Sequence, residues 1–392
     1  MIIFGFFLIL IEKVQTKIQL ESRTKIEFVK QFVEHIFPAQ STQNWATAAA
    51  SELEKGSRME DLRIRKEGLE WNPYYSATDV KSWEAARLPS SNVDFAGARY
   101  WLNMPRILVG DVTQVNAQAL EHLQNGADGI VFDLPSGFTE TAKLLEGIQM
   151  PYCAIHFFVS DQPDYFLTSL HAFVDQKFPE ENINANFYWK GEPHLSQIVK
   201  LRKRTSFRGA GVVVANKETA ADQLAAALQD AVERVESLKK LGLSAEEATS
   251  HISFSLQLGN DFFLEAVKLR VLRALWNAIL VAYQVKSSKP LFIHALSNPQ
   301  VNGVFQPHGN LIKETYAAMA AILGGCDGLT TEPEDYNNPT MVRMARNTSS
   351  VLREESFFSL VADPLGGSYL VEQLTKNLAE ETWAKFQLLT KA

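Results

Sequence analysis

The sequence predicts a (β/α)8 barrel preceded by an N-terminal arm that is part extended and part helical. From Arg106 onward, short apolar runs alternate about eight times with segments of helical periodicity, the signature of βα units. The chain has 392 residues, 46% of them hydrophobic and 21% charged, which suits one large barrel with appendages. A doubly wound sheet is the alternative, but no glycine-rich phosphate fingerprint follows the first strand.

Residues 1–30 read as an apolar N-terminal extension. Its opening run, IIFGFFLILI at residues 2–11, is shorter than the roughly 20 residues that span a bilayer. It lacks the positive leading region and small-residue cleavage site of a signal peptide. A buried helix or an over-extended start fits it better than an anchor, so no membrane partner is expected. Residues 31–95 form the arm and linker. Phe28–Glu54, which starts just before them, looks helical with interruptions, and Ser41 or Thr42 can cap the segment from Asn44 to Leu53. Leu69–Tyr75, LEWNPYY, is extended and aromatic, suited to clamping a linker or touching a ligand. Lys81–Val93 is polar and irregular, with Pro89, Ser90 and Ser91 marking a linker.

Residues 96–365 carry the barrel. The expected strands are Arg106–Val109, Gly129–Phe132, Tyr152–Phe158, Asn184–Tyr188, Ala210–Ala215, Ile252–Leu256, Leu291–His294 and Gly328–Thr330. Helices fit at Val115–Asn125, Thr139–Glu146, Ala220–Leu241, Phe262–Tyr283 and Leu311–Leu323. Asn125–Gly129 (NGADG) and Gly324–Gly328 (GGCDG) each read as a helix end turning into a strand, with a structural aspartate. Phe132, Phe157, Phe187, Phe254 and Phe292 lie on strands, and any that point inward would fill the barrel axis.

A net charge of -7 gives no support to nucleic-acid binding. Cys153 and Cys326 are too few and too distant in sequence for a disulfide framework or a CxxC site, so a reduced, cytoplasmic setting is the default. His122, His156, His171 and His308 show no HxH or HExxH spacing, and neither a G-x-S-x-G elbow nor a P-loop occurs. No metal site is expected.

The C-terminal stretch Tyr336–Glu372 is the most specific. Asn337, Asn338 and Pro339 start a helix whose buried face should carry Met341, Met344, Ala345, Thr348, Val351 and Leu352. Asp363-Pro364-Leu365-Gly366-Gly367-Ser368 is a forced turn, and Ser368 can cap a final helix burying Leu370, Leu374 and Leu378, within residues 366–392. The strings RMARNTSSVLREES and VADPLGGSYLVEQLT closely resemble the end of the barrel domain in the methylmalonyl-CoA mutase family. More weakly the resemblance reaches back to Phe37, where FPAQSTQNWATAAASELEKG is similar to the start of the family's small subunits. It implies an adenosylcobalamin-dependent isomerase of acyl-CoA thioesters, acting in propionate metabolism.

Matching Glu218–Ala225 (ETAADQLA) to the family's ATADIELA sets Gly211 opposite a substrate-contacting tyrosine and Val212 opposite a substrate-contacting histidine. Valine neither donates a proton nor hydrogen-bonds a carbonyl. Phe292–Asn298 (FIHALSN) is similar to a family string reading arginine-threonine-histidine-cysteine-glutamine-threonine-serine. Phe292 then stands where an arginine would hold the CoA substrate, Leu296 replaces a glutamine, and His294 is kept. Catalytic residues are therefore not expected. His294 stays a weak candidate for substrate binding, set against an ordinary core histidine. None of the eight histidines sits in the Asp-x-His-x-x-Gly string whose histidine ligates cobalt in the family. Residues 366–392 would lead to a cobalamin-binding domain that this sequence does not show. The resemblance thus implies a non-catalytic small subunit paired with a large mutase subunit that binds adenosylcobalamin, with none bound here. The alternative is an active mutase barrel using cobalamin carried by a separate chain. An unrelated barrel using His294 and Asp335 ranks last, because it leaves the GGSY stretch unexplained.

Overall fold

A computed structural model describes residues 41–54, 56–79, 88, 97–160, 164–199, 207–286, 289–297 and 309–391. The apolar run at residues 2–11, the segment from Phe28 to residue 40, most of the 81–93 linker and His308 lie outside them. The described chain divides into two units, residues 1–64 with 72–76, and residues 65–71 with 77–392.

In the smaller unit, helix α1 (Thr42–Glu52) starts at Ser41, whose hydroxyl accepts the Asn44 N–H. The helix buries none of its residues. Trp45 stacks on Tyr74 with ring centroids 4.9 Å apart, and Asn72 N–H donates to the Tyr75 hydroxyl. The aromatic stretch is thus a local clamp. Its first half is more regular than expected: β1 (Ile64–Lys66) and β2 (Leu69–Trp71) form a two-stranded sheet. In the larger unit Lys66 pairs with Asp261 at 2.8 Å.

The main sheet has nine parallel strands, ordered β3, β11, β10, β9, β8, β7, β6, β5, β4. These are β3 (Leu102–Asn103), β4 (Arg106–Leu108), β5 (Gly129–Asp133), β6 (Ala154–Val159), β7 (Ala185–Trp189), β8 (Phe207–Val214), β9 (Ser253–Gln257), β10 (Phe292–Leu296) and β11 (Gly328–Thr330). The two end strands are consecutive in sequence and separated only by Met104 and Pro105. Leu102 and Met104 N–H groups donate to the carbonyls of Asp327, just before the last strand, and Leu329 within it, while Pro105 and Asn103 carbonyls accept from Val131 and Asp128 on the other side. β3 and β4 are therefore one strand broken by a proline, and the sheet closes into an eight-position barrel. Pro105 has no N–H to offer, so it divides the assignment without breaking the closure. The first strand begins four residues earlier than the sequence suggests.

The helices are α2 (Val112–Gln124), α3 (Thr141–Leu144), α4 (Asp164–Lys177), α5 (Leu195–Ile198), α6 (Ala220–Lys240), α7 (Ala245–Ser250), α8 (Phe262–Ala282), α9 (Gly309–Gly324), α10 (Pro339–Glu354) and α11 (Tyr369–Leu389). Asp111, Thr219, Ser244 and Asp261 cap four of them by accepting N–H groups in the first turn. α8 is buried nearly all round, with the charged side chains of Glu265, Lys268, Arg270 and Arg273 included, because it packs against α9 and α11 as well as against Phe254 of the barrel. A Cβ on Gly324 would lie 2.6 Å from the Ala266 carbonyl, so this glycine sets how closely α9 approaches α8. Both NGADG and GGCDG turn on a positive-φ glycine, Gly126 and Gly325. Asp128 then takes the Asn103 N–H and Arg353, and Asp327 takes the Ile293 N–H and Arg273. Cys153 and Cys326 are both free. Among the described residues no helix is long and apolar enough to cross a membrane.

Two details of the C-terminal stretch differ from expectation. Val351 is exposed, and α10 instead buries Ala345, Arg346, Thr348, Ser349 and Leu352. Ser368 makes no side-chain cap; Glu372 of α11 reaches back to Gly367 N–H, and the buried row is Val371, Leu374 and Leu378, with Leu370 half-buried. What fixes the turn is Arg270 of α8, fully buried, bonded to Asp363 at 2.6 Å and near Glu372 at 3.7 Å. Removing one partner of such a group strands the other charges in a dry site. Arg270→Ala should lower unfolding free energy by roughly 3–5 kcal/mol in urea titration. A loss below about 1 kcal/mol would mean the turn is held by its glycines and proline instead.

Candidate functional site

Side chains alternate across each strand, so every second residue faces the axis. On β6 these are Ala154, His156 and Phe158; on β10 they are Phe292, His294 and Leu296. β6 and β10 lie on opposite sides of the barrel, with β7, β8 and β9 between them. Their side chains still meet: His156 and Phe292 rings are 5.0 Å apart, and Phe158 and His294 rings 6.2 Å apart. Such contacts pass only through the axis. Tyr188 of β7 stacks on His294 at 5.6 Å, and Met104, Val131, Ala154, Phe158, Tyr188 and Phe292 form one buried cluster. The axis is filled by side chains.

Of the five phenylalanines named from the sequence, Phe292 alone joins this axial cluster. Phe132, Phe157 and Phe187 stack on the outer face, where Phe157 meets Phe166 of α4 at 5.0 Å, and Phe254 packs on Trp276 of α8. Of the residues that fill the axis beside it, His156 stands out in the sequence only as a scattered histidine, and Phe158 and Tyr188 do not stand out at all. The alternation within AIHFFV was the available signal. Val212 is buried on the outer face, level with Phe254, while Val213 packs against the axial cluster. The position matched to the family's histidine therefore faces the helices.

His294 is fully buried. The Thr330 hydroxyl donates to the Met104 carbonyl, so its oxygen accepts from His294 Nε2 at 2.8 Å. His294 Nδ1 then accepts the Ser255 hydroxyl at 2.9 Å. Burial, then the Arg106 charge, push its pKa down to about 3, so it is neutral with both nitrogens engaged. Asp335 is exposed and spends its carboxylate on the Asn337 N–H. The structure does not join these two residues into a site.

Polar groups gather instead at the C-terminal mouth, where barrel chemistry ordinarily sits. Arg106 pairs with Glu332 at 2.8 Å and with Asp133 at 3.4 Å, and its Nη2 reaches the Tyr336 hydroxyl at 3.4 Å. Lys190 closes the set on Asp133. Glu314 of α9 lies beside Ser297, whose hydroxyl accepts the Glu332 N–H at 2.9 Å. Burial pushes both Glu314 and Glu332 up to about 7, against the pull of Arg106 on Glu332. None of these mouth residues stood out in the sequence, since each is a lone charge on a different element. Among the described residues no group of His, Cys, Asp and Glu is placed to hold a metal ion.

Comparison with known proteins adds the lineage. The family model for methylmalonyl-CoA mutase matches residues 210–392. The methylmalonyl-CoA mutase small subunit of Porphyromonas gingivalis is 28% identical, covering 89% of this chain and 63% of that protein. A methylmalonyl-CoA mutase of Cereibacter sphaeroides is 30% identical over 71% of this chain and 41% of its own length. The small subunit of Streptomyces virginiae is 35% identical over 44% of this chain and 29% of its own. The chain thus spans less than two thirds of the length of these relatives.

The mouth should make stability depend on pH. Glu314 has its folded pKa raised from 4.5 to about 7, so its contribution is fully present below about 4.5 and is lost as pH rises through 7. Between about pH 6 and pH 8 this group alone should remove about 1.4 kcal/mol. Urea titrations at the two pH values should show that loss in the native chain and a smaller one in Glu314→Gln. Equal losses would assign the dependence elsewhere.

Proposed function

Because the chain belongs to the methylmalonyl-CoA mutase family, we propose that it is the small, non-catalytic subunit of an adenosylcobalamin-dependent methylmalonyl-CoA mutase. It stabilises a longer catalytic subunit that interconverts methylmalonyl-CoA and succinyl-CoA. The filled axis carries this reading. A substrate arm threaded through the barrel needs the space that Phe158, Tyr188, Phe292 and His294 occupy. Two relatives named as small subunits support the assignment to that side of a pair. A fold kept while its bore is closed suits a structural role.

His294, the one histidine kept from the family string, does not fit cobalamin. His294 has no free lone pair for cobalt, because Nδ1 accepts from Ser255 and Nε2 carries the proton shared with Thr330. At the mouth, Arg106, Asp133, Lys190 and Glu332 are tied to one another. The cofactor therefore belongs to the partner chain in this proposal.

Co-expression with a full-length large mutase subunit from the same genome tests it. The two chains should co-purify, and the large subunit's melting temperature should rise in the complex. The chain alone, given adenosylcobalamin and methylmalonyl-CoA, should form no succinyl-CoA. Turnover by the isolated chain would overturn the non-catalytic assignment, and failure of the two chains to associate would overturn the pairing.

A further inference from the structure

A groove of about 550 Å³ runs between α9 and α10, within the size range of small-molecule sites. Leu311, Thr315 and Met319 form one wall at helical spacing, and Met344, Val351 and Leu352 form the other. Each wall covers about two turns of helix, so the trough is about 12 Å long. Phe358 stands at its far end. Two features mark this surface. Val351, which helical spacing assigns to a buried face, is 43% exposed. Phe357 takes a φ of 58°, a left-handed conformation that helix ends usually give to glycine and that a bulky side chain rarely adopts. The chain reverses there, Phe358 N–H donates to the Leu352 carbonyl at 3.1 Å, and the Phe358 side chain lines the groove while Phe357 stays exposed. Strain of this kind gathers at ligand clamps and switch regions.

The groove's polar groups favour an anion. Thr315 and Thr348 spend their hydroxyl protons on the Leu311 and Met344 carbonyls one turn back. Ser356 lies at the Phe358 end. Arg343 is the one charged lining residue; it is exposed, and among the described residues it makes no ion pair and no hydrogen bond. Asn347 follows it by one turn, on the same face of α10. Its Oδ1 accepts the Arg346 Nε–H at 3.3 Å, which leaves its amide N–H groups free to donate. A fixed cation and a neutral donor thus stand together at one end of an apolar trough. Glu314, Glu332 and Glu334 line a separate, smaller chamber that shares Leu311 and Met344 with the groove, and none of the three lines the groove itself.

We propose that this groove binds a monocarboxylate carrying an unbranched apolar chain. The carboxylate lies at Arg343 and Asn347, and the chain runs past Met319 and Val351 toward Phe358. The guanidinium presents two parallel N–H donors that match the two carboxylate oxygens, and the Asn347 amide adds another. The chain covers apolar side chains that water otherwise wets. A neutral alcohol of the same length gains the trough but not the ion pair. An ammonium brings like charge to Arg343 and offers donors where the site needs acceptors. The groove lies outside the bore, so this site depends neither on the filled axis nor on the pairing proposed above.

Calorimetric titration of the full chain with octanoate, 1-octanol and octylammonium tests this. Octanoate should bind with a Kd at or below about 1 mM and about fivefold more tightly than octanol, and octylammonium should bind no better than octanol. The preference for octanoate should shrink in about 1 M sodium chloride, where charges are screened within about 3 Å. Arg343→Gln should abolish the preference and leave octanol binding as it was, and Arg343→Lys should restore part of it. Arg343 is exposed, so both variants should fold. The proposal is overturned if octanoate does not bind at millimolar concentration, if octanol or octylammonium matches it in the native chain, or if Arg343→Gln keeps the preference. Absence of octanoate binding together with loss of large-subunit co-purification in Val351→Glu would also overturn it, and would assign the groove to a protein partner. The comparison of the three ligands uses the native chain and stands whatever the variants do.

Discussion

A closed sheet leaves no edge, and closure here hangs on seven residues. Leu102–Leu108 must give N–H groups to β11 with its first half and face β5 with its second. Backbone groups buried at a barrel seam need partners, because an unmade hydrogen bond in a dry site costs far more than a made one contributes. Pro105 sits at the changeover, and its carbonyl still accepts from Val131. The seam in turn places Met104 in the axis and Arg106 at the mouth. From that one strand both the packing of the bore and the charge cluster above it are fixed.

Axis and mouth differ in how they handle polar groups. His294 is inside an apolar core, and both of its nitrogens are occupied by hydroxyls from the neighbouring strands β9 and β11. It orders the core without carrying charge. At the mouth, Arg106 pairs with Asp133 and Glu332 and Lys190 pairs with Asp133, while the two most deeply buried carboxyls, Glu314 and Glu332, are the members pushed toward their neutral forms. The same burial that silences His294 by lowering its pKa raises those of Glu314 and Glu332. Desolvation disfavours whichever form is charged.

Much of the fold was legible in the sequence. Parallel strands buried on both faces appear as short apolar runs, so GIVFD, AIHFFV and FIHAL could be placed within a residue or two. The first half of strand one was missed because Pro105 interrupts the run and Asn103 is polar. Asn103 is buried nonetheless, with its amide donating to the Arg346 carbonyl of α10. α4 was missed because polar residues punctuate DYFLTSLHAFVDQK, and its partners, Phe157 among them, come from elsewhere in the chain. The candidate site was less legible. Which of two adjacent aromatics faces the axis depends on strand phase, which composition does not reveal. The charge cluster at the mouth needs residues from Arg106 to Glu332 brought together, and no spacing rule links them.

The packed bore has a thermodynamic consequence. A protein whose cavity is filled by a ligand draws part of its folding free energy from that ligand, and its stability then follows the ligand's concentration. Here Phe158, Tyr188, Phe292 and His294 travel with the chain at an effective concentration that never varies. The barrel's folding equilibrium is thereby uncoupled from the supply of any guest along its axis.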